Sequence, residues 1–495
     1  MSSSKRKVSD AIGEEDARER SAKRREVTQA DTEHPIHKLS YPSTSAPART
    51  VPFQQPAPLL TFSYTSVREL EFTDSALRYY VPPPNGAELR YGYERWVKRP
   101  EERGRLDGLL RAVSKMRERM DRSEAGSGRR WLDGVGVVAW RGVMTKILTA
   151  PYEERDGWEM NVMDVGGTLY LEEHLSDAKL KDKEDMTPHH RLQSYYGYSF
   201  EAWSTSSRPG VRERLDGHPE GWGGDVDTNV QWCCVVKTKL GDTRLVIGGE
   251  VDCTREKFTG KTNDLVELKT SMVIRGAQDE ARFEKKLLKF YFQSFLLGVP
   301  EIVVGFRTPA GQLSTLQSFK TMQIPRLVRG KRGAWDPMVC FDWGHQFLAF
   351  LKSVVRGVDA DVRAAPHEKE EKHGTGDSRA EVDEQPEGVA DRPRVWRVRF
   401  QPKVGISVTL LDDAGVREVE AGEDRVGFLP KWYCDELMDK SIGERHTESH
   451  AAASNIVNGE AGVSRDNAEH SDRQETEVRT VHPATTPAIP PGWVT

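Results

Sequence analysis

The stretch VQWCCVVKTKLGDTRLVIGGEVD, residues 230–252, and the following DLVELKTSMV, residues 264–273, decide the fold. Val230–Leu240 and Arg244–Val251 are rich in β-branched residues, and Gly241-Asp242 lies between them as a hairpin turn pair. Asp264–Val273 has the composition of a further strand. The sequence therefore predicts a β-hairpin followed by a third strand, all at least half buried.

Helical and strand-like segments surround this stretch. Apolar residues recur at helical spacing in Leu106–Arg122, Asp279–Leu297 and Phe341–Val355. Glu301–Phe306 and Val395–Leu411 have strand-like patterns. The order of these segments predicts an α/β (α+β) fold in which mixed β-sheets are flanked by helices.

Composition divides the 495 residues into one domain and three polar segments. Residues 1–57 and 441–495 are polar and lack apolar periodicity, which predicts disordered tails. Residues 358–393 form an acidic, low-complexity insertion that we expect to be disordered. The folded domain is thus expected to cover residues 58–440.

Charge and cysteine content limit the function classes. The net charge is −5, so binding of nucleic acid would depend on a local basic patch or on metal ions. The five cysteines form no Cys-x-x-Cys pair, and the chain has no signal peptide or long apolar run. We expect a reduced intracellular protein without a membrane partner.

Two basic clusters lie in the N-terminal tail, Lys5-Arg6-Lys7 and Lys23-Arg24-Arg25. Their spacing is that of a bipartite nuclear import signal, which predicts a nuclear location. A solvated charged tail is the alternative interpretation, since short basic clusters are common.

Acidic residues and a lysine lie close together at the end of the deciding stretch. Residues two apart in a strand share a face, so Glu250 would lie beside Asp252 and Glu267 beside Lys269. If the two strands are neighbours, three carboxylates and one lysine converge between apolar flanks. Burying them together is costly unless a cation compensates, and oxygen ligands suit Mg²⁺ or Mn²⁺.

The spacing of Asp252 from Glu267-Leu268-Lys269 is that of an Asp-(Asp/Glu)-x-Lys nuclease core. In such a core the metal activates a water molecule, and the lysine offsets charge at the phosphate. Short acidic motifs are also common on solvated strand faces, where they form surface ion pairs. The spacing alone leaves both interpretations open.

Several ordered blocks between Arg68 and Trp432 resemble the DXO/Rai family of 5′-end RNA decapping nucleases. The blocks that carry the resemblance are Leu77-Arg78-Tyr79-Tyr80, Trp140-Arg141-Gly142, Gly197-Tyr198-Ser199-Phe200-Glu201, Gly249-Glu250-Val251-Asp252-Cys253, Glu267-Leu268-Lys269-Thr270-Ser271, Phe292-Gln293-Ser294-Phe295 and Gly305-Phe306-Arg307. One departure is Gly104, which stands where the family has an acidic residue before Arg105-Leu106-Asp107. This departure puts one substrate contact in doubt.

The resemblance implies a role for each matching residue. The implied catalytic residues are Glu250, Asp252, Glu267 and Lys269, and the implied ligands of two metal ions are Glu201, Glu250, Asp252, Glu267 and the carbonyl of Leu268. The implied substrate contacts are Arg68, Trp140, Arg141, Gly142, Cys233, Glu250, Lys269 and Gln293. Judged without the resemblance, Glu201 would be a solvated helix residue, Arg141 a structural ion-pair partner and Gln293 a polar rim residue.

The resemblance also implies a reaction and a partner. It implies metal-dependent hydrolysis at RNA 5′ ends: pyrophosphate release from 5′-triphosphate RNA, removal of incomplete caps and NAD caps, and 5′–3′ exonuclease activity. Some fungal members with an N-terminal tail bind and stabilise a nuclear 5′–3′ exoribonuclease, so a mainly non-catalytic stabilising subunit is the alternative. A DNA endonuclease built on the same metal core is a third hypothesis.

Overall fold

The structure is a computed structural model, and it describes residues 35–44, 47–123, 131–364 and 394–438. Most of the predicted tails and of the predicted insertion, including both basic clusters, lie outside the described residues. Within the described residues, no helix is both long enough and apolar enough to cross a membrane.

Short and long strands alternate along the chain. In chain order they are β1 (His37–Ser40), β2 (Phe53–Tyr64), β3 (Leu70–Glu71), β4 (Tyr79–Tyr80), β5 (Val137–Trp140), β6 (Trp158–Val165), β7 (Thr168–His174), β8 (Thr205–Ser206), β9 (Gln231–Leu240), β10 (Thr243–Glu250), β11 (Cys253–Thr254), β12 (Leu265–Met272), β13 (Glu301–Arg307), β14 (Leu313–Lys320), β15 (Trp396–Gln401), β16 (Gly405–Leu410), β17 (Arg425–Val426) and β18 (Leu429–Pro430).

The helices lie mainly between strands. They are α1 (Asp107–Ser123), α2 (Arg141–Thr149), α3 (Asp177–Glu184), α4 (Pro188–Ser204), α5 (Ala277–Phe295), α6 (Ile324–Val328), α7 (Pro337–Ala364) and α8 (Asp413–Glu420), and residues 431–438 are also helical. Short 3₁₀ turns cover Tyr93–Arg95, Trp131–Gly134, Ala150–Tyr152 and Thr321–Gln323.

The described strands form two mixed sheets and a short β17–β18 ribbon. One sheet has ten strands in the order β1-β16-β15-β6-β7-β5-β10-β9-β2-β3. The other has six strands in the order β14-β13-β12-β11-β4-β8. Both sheets contain parallel and antiparallel pairs, and helices pack against them, as the sequence predicted.

The predicted hairpin is present, since β9 and β10 pair antiparallel with Thr243 opposite Leu240. The third predicted strand is also present, as β12, but the condition that it neighbours β10 is not met. Glu250 is the last residue of β10 in the ten-stranded sheet, whereas β12 belongs to the six-stranded sheet and pairs with β11 and β13. Asp252 therefore lies where the chain crosses from one sheet to the other, and β10 and β12 are not neighbours.

Apolar faces of both sheets and of three long helices form the main core. Helix α5 contributes Phe283, Leu287 and Tyr291, which recur at helical spacing and are buried. Gly298, with φ of +72°, follows the helix and allows the tight turn into β13. This core holds α2 and α5 against the sheets near the crossover at residue 252.

The predicted domain boundaries are partly wrong. Strand β1 and the start of β2 lie inside the stretch predicted as a tail, because β1 is an edge strand that pairs with β16 despite its polar composition. Helix α7 continues to Ala364, beyond the predicted start of the insertion at 358. For β1, long-range strand pairing orders residues that carry no local apolar pattern.

Candidate active site

The crossover between the two sheets brings the predicted acidic residues together. Glu250 ends β10, Asp252 follows two residues later, and Cys253 pairs with Val266 at the start of β12. The Asp252 carboxylate Oδ2 accepts a hydrogen bond of 2.6 Å from the Leu268 backbone N–H. This bond fixes Asp252 beside the strand that carries the Glu-x-Lys motif.

Helix α4 brings a fourth carboxylate to the same place. The helix begins after Thr187, whose hydroxyl accepts a hydrogen bond from the His190 N–H, and Pro188 occupies its first turn. Phe200 and Trp203 are buried in the helix's last turns. Glu201 lies between them, and the carboxylates of Asp252 and Glu250 are close enough to act on its charge.

Two cations neutralise part of this acidic cluster. Lys269 Nζ lies 2.6 Å from Glu267 Oε1 and 3.9 Å from Asp252 Oδ2. Arg141 Nη1 lies 3.0 Å from Glu267 Oε2. The Glu267 side chain is 0% exposed, so both of its oxygens are paired inside the protein.

The pKa values of the cluster reflect burial and crowding. Burial, reinforced by neighbouring carboxylates, raises the pKa of Glu201 and of Asp252. Burial opposes ionisation of Glu267 too, but the charges of Arg141 and Lys269 hold its pKa below the ordinary value. Glu267 is thus the carboxylate most firmly kept ionised by the chain itself.

The cluster fits a divalent cation by the chemistry of its donors. Glu201, Glu250, Asp252 and Glu267 carry four negative charges when ionised, whereas Lys269 and Arg141 carry two positive charges. A divalent ion would balance the difference, and hard oxygen ligands suit Mg²⁺ or Mn²⁺. Among the described residues no group of three acidic, imidazole or thiol side chains is already arranged to hold a metal ion. The chain's own donors engage Glu250, Asp252 and Glu267.

The tripeptide Trp140-Arg141-Gly142 lies at the junction of β5 and α2. Arg141 is the first residue of the helix, so free backbone N–H groups point out of its N-terminus. The Arg141 side chain turns toward Glu267, while Trp140 Nε1 donates to the Arg105 carbonyl over 2.9 Å. The junction thus combines a guanidinium with a helix N-terminus beside the carboxylates.

Arg68 reaches the cluster through a residue that the sequence analysis missed. Arg68 Nη1 donates to Gln231 Oε1 over 2.7 Å, and Gln231 Nε2 donates to Glu250 Oε2 over 2.7 Å. Gln231 is two residues from Cys233 on the same strand face, and Cys233 is the register partner of Glu250. The alternation of the strand could have identified Gln231 once Cys233 was chosen.

Two predicted substrate contacts remain, Cys233 and Gln293. Cys233 is buried beside Glu250, and its neighbour Cys234 packs in a different core cluster, so the two side chains point to opposite faces as expected. Gln293 is half-buried on α5, and in the described part of the chain no hydrogen bond joins it to the carboxylates. Its role as a substrate contact stays a prediction.

A cavity of about 580 Å³ opens over the carboxylates. Its lining includes the acidic residues Glu201, Glu250 and Asp252 and the side chains of Trp96, Lys98, Arg99, Arg191, Tyr198 and Gln231. Carboxylates and cations in one cavity suit a phosphate-bearing substrate held next to a metal site.

The fold and the site define a class of protein. A mixed sheet that holds Asp252 beside the Glu267-Leu268-Lys269 motif, with α4 supplying Glu201, is the arrangement of a PD-(D/E)XK nuclease core. Residues 54–434 match the model of the RAI1-like PD-(D/E)XK nucleases, and the chain belongs to this family. The family is dependent on divalent metal ions.

Several known proteins are similar to this chain. A decapping nuclease RAI1 from Mycosarcoma maydis is 38% identical, and the match covers 77% of this chain and 87% of that protein. The human decapping and exoribonuclease protein is 38% identical over 67% of this chain and 85% of its own length.

Solved structures agree with the fold. The S. pombe Rai1 structure in complex with 3′-FADP is 25% identical, has a TM-score of 0.54, and matches 76% of this chain and 100% of its own. Candida albicans Rai1 in complex with pU5 and Mn²⁺ is 22% identical with a TM-score of 0.63, over 82% of this chain and 100% of its own. The second likeness supports the fold.

Proposed function

We propose that this protein hydrolyses phosphoester and phosphoanhydride bonds at RNA 5′ ends. The observation that carries the proposal is the buried set of Asp252, Glu267 and Lys269 joined by Glu201 and Glu250 under one cavity. Relatives named decapping nuclease, and others named decapping and exoribonuclease protein, support this substrate class.

The carboxylates would hold the metal that the reaction needs. Glu201, Glu250, Asp252, Glu267 and the Leu268 carbonyl would bind two ions of Mg²⁺ or Mn²⁺. When bound, such ions supply an activated water and stabilise charge on the phosphate oxygens. Manganese in the Candida albicans structure supports the choice of metal.

The chain's own cationic side chains would bind the phosphates of the RNA. Lys269 lies beside Glu267 and Asp252, where it would donate to a non-bridging oxygen of the scissile phosphate. Arg141 and the helix N-terminus at Gly142 would hold a neighbouring phosphate of the RNA. Gln293 and Cys233 would line the substrate path.

The reactions expected at this site share one step. A water molecule attacks the first phosphorus of the RNA, and the leaving group is pyrophosphate, an incomplete cap or an NAD-derived nucleotide. Attack on the next phosphodiester would give 5′–3′ exonuclease activity. These activities would serve quality control of RNA 5′ ends.

A direct assay tests the proposal. The purified protein with Mn²⁺ or Mg²⁺ is offered 5′-triphosphate, incompletely capped and NAD-capped RNAs, and circular DNA serves as the control substrate. We expect release of the 5′ group from RNA and no cleavage of the circle. Unchanged activity in the Glu250→Ala, Asp252→Ala double variant would disprove the catalytic assignment.

Location and partner complete the proposal. A nuclear location would follow from the basic clusters at 5–7 and 23–25. A reporter carrying residues 1–34, with and without alanines at these clusters, tests it.

A nuclear 5′–3′ exoribonuclease is the expected partner. Measuring its heat inactivation with wild-type protein and with the Asp252→Ala variant separates stabilisation from catalysis.

A further inference from the structure

A stripe of helix α4 faces the cavity above the carboxylates. Arg191, Ser194, Tyr198 and Glu201 all line the cavity, and their spacing of three and four residues places them on one helical face. Tyr198 therefore lies one turn before Glu201. Both residues line the cavity.

Trp96, although distant from Tyr198 in the chain, packs against its ring. The two ring centroids are 5.7 Å apart with an interplanar angle of 39°, and both residues line the cavity. Trp96 also contacts the buried Tyr195 ring at 5.5 Å, which holds it in place. Tyr198 remains 39% exposed, so this aromatic pair presents ring surface to the cavity.

Two guanidinium groups converge beside the aromatic pair. Gln231 Oε1 accepts hydrogen bonds from Arg68 Nη1 over 2.7 Å and from Arg99 Nη1 over 3.2 Å. The Arg68 guanidinium also stacks on Tyr64 at 3.8 Å from the ring centroid. Two cations thus share one neutral amide oxygen.

Little negative charge compensates this arginine pair. Arg99 Nε lies 4.0 Å from the carboxylate of Glu102, whose side chain is 61% exposed. An exposed pair at this distance contributes little. Arg99 lines the cavity and shares the Gln231 acceptor with Arg68, so two guanidiniums lie close together and favour a phosphate beside Arg99.

We propose that Trp96, Tyr198 and Arg99 form a nucleotide subsite, with Trp96 and Tyr198 stacking a nucleobase and Arg99, beside Arg68, holding its phosphate. The inference rests on the proposed function and adds Trp96, Arg99 and Tyr198 to its residues. Two nucleotides have this chemistry: the first nucleotide of the RNA, and the nucleotide of a cap. The experiment distinguishes them.

Kinetics on substrates with and without a base test the aromatic pair. Tyr198→Leu removes the ring, and Tyr198→Phe is the matched control that keeps it. We expect Tyr198→Leu to lower kcat/KM about 5- to 100-fold where the stacked base is present, and to have no effect where that nucleotide is abasic. Tyr198→Phe should resemble the wild type on all substrates.

The position of the abasic site identifies the nucleotide. If the first RNA nucleotide is bound, the loss occurs on 5′-triphosphate RNA and disappears when its first base is removed. If the cap nucleotide is bound, the loss occurs only on guanosine-capped RNA. An equal loss on base-bearing and abasic substrates, or no loss on either, would overturn the subsite.

Arg99→Gln tests the phosphate half independently. We expect a roughly tenfold rise in KM on base-bearing and abasic substrates alike, and a shallower dependence of binding on salt. An unchanged KM and salt dependence would remove Arg99 from the subsite. Folding of each variant is checked by its thermal unfolding.

A binding measurement keeps the subsite separable from the proposed reaction. A 5′-phosphorylated dinucleotide with 2-aminopurine as its first base, and a cap analogue with 2-aminopurine in the cap, are titrated with wild-type protein in EDTA. Stacking quenches the fluorescence of one probe, and Tyr198→Leu should abolish the quenching. Quenching without any RNA hydrolysis would refute the proposed function alone, and hydrolysis without quenching of either probe would refute the subsite alone.

Discussion

Gln231 Nε2 donates a hydrogen bond of 2.7 Å to Glu250 Oε2. The other end of the same amide accepts a hydrogen bond of 2.7 Å from Arg68. Because an amide has its donor and acceptor at opposite ends, these two partners fix its orientation. Gln231 is therefore a positioning residue that holds the Glu250 carboxylate toward the site.

Removing this contact should slow the reaction more than it weakens binding. We expect Gln231→Leu to lower kcat about tenfold, the effect of losing one hydrogen bond to a charged group. KM should change only as far as Arg68 and Arg99 depend on the acceptor that they share. Steady-state kinetics on 5′-triphosphate RNA measure both. Lys237→Leu changes an exposed residue on the same strand and serves as the control. A change in KM alone would contradict the positioning role.

Metal binding should stabilise the protein through the acidic cluster. At a metal concentration of a hundred times Kd, linkage predicts a gain of about 2.7 kcal/mol in the free energy of unfolding. Glu201→Gln removes one buried like charge, so the metal-free variant should unfold at a higher temperature than metal-free wild type, and added Mn²⁺ should raise its Tm less. Thermal unfolding with EDTA and with Mn²⁺ measures this.

The control for the metal prediction is Glu184→Gln, which changes an exposed glutamate in α3. This variant should respond to Mn²⁺ as the wild type does. An equal rise in Tm for Glu201→Gln and the wild type would exclude Glu201 as a ligand.

Glu301 should make stability depend on pH in the acidic range. Its carboxylate accepts hydrogen bonds from Arg255 over 2.9 and 2.7 Å, and with Ser318 and Lys320 these lower its pKa from 4.5 to about 2. Because the folded pKa is depressed, the contribution is present above about pH 4.5 and is lost as the pH falls toward 2.

Replacing Glu301 by glutamine should remove this dependence. We expect Glu301→Gln to lower the free energy of unfolding by about 2 kcal/mol at pH 7, with the difference from the wild type shrinking below pH 4. Urea unfolding between pH 2.5 and pH 7 measures it. Glu154→Gln, at an exposed ion pair, should behave as the wild type, and parallel pH curves for Glu301→Gln and the wild type would contradict the assignment.

The hydrogen bond between the Tyr170 and Tyr433 hydroxyls should help to hold the helical residues 431–438 against the ten-stranded sheet. The hydroxyls lie 2.9 Å apart and both side chains are fully buried. Tyr433→Phe should cost about 1 to 2 kcal/mol, because it leaves the Tyr170 hydroxyl without this partner. The double variant with Tyr170→Phe should cost less than the sum of the two single variants, as a double-mutant cycle would measure. Additive costs would show that the hydroxyls do not interact.

Local pattern was sufficient for several elements of the fold. The turn at Gly241-Asp242, the helical periodicity of α5 and the β-branched content of β12 predicted the observed structures. Each of these signals depends on residues near one another in the chain, where side-chain period and turn chemistry act directly. Strand β1 was missed because its order depends on pairing with β16, more than 360 residues away.

The acidic site was only partly predictable in the same way. Motif spacing, together with the family resemblance, selected Asp252, Glu267, Lys269 and Glu201, but it left open whether the strands that carry Glu250 and Glu267 are neighbours. Spacing also carried no sign of Gln231, Arg99 or the Trp96–Tyr198 pair. These residues interact across separations of up to about 160 positions.

The sequence by itself determined the helices and strands of the central stretch, the family, and the identity of the acidic residues and the lysine. Only the tertiary structure decided that Asp252 lies at a crossover between two sheets, that Arg141 pairs with Glu267, and that two arginines share the Gln231 amide. The reason is physical: periodicity and motif spacing are properties of neighbouring residues, whereas burial and charge pairing depend on which distant segments the folded core brings together.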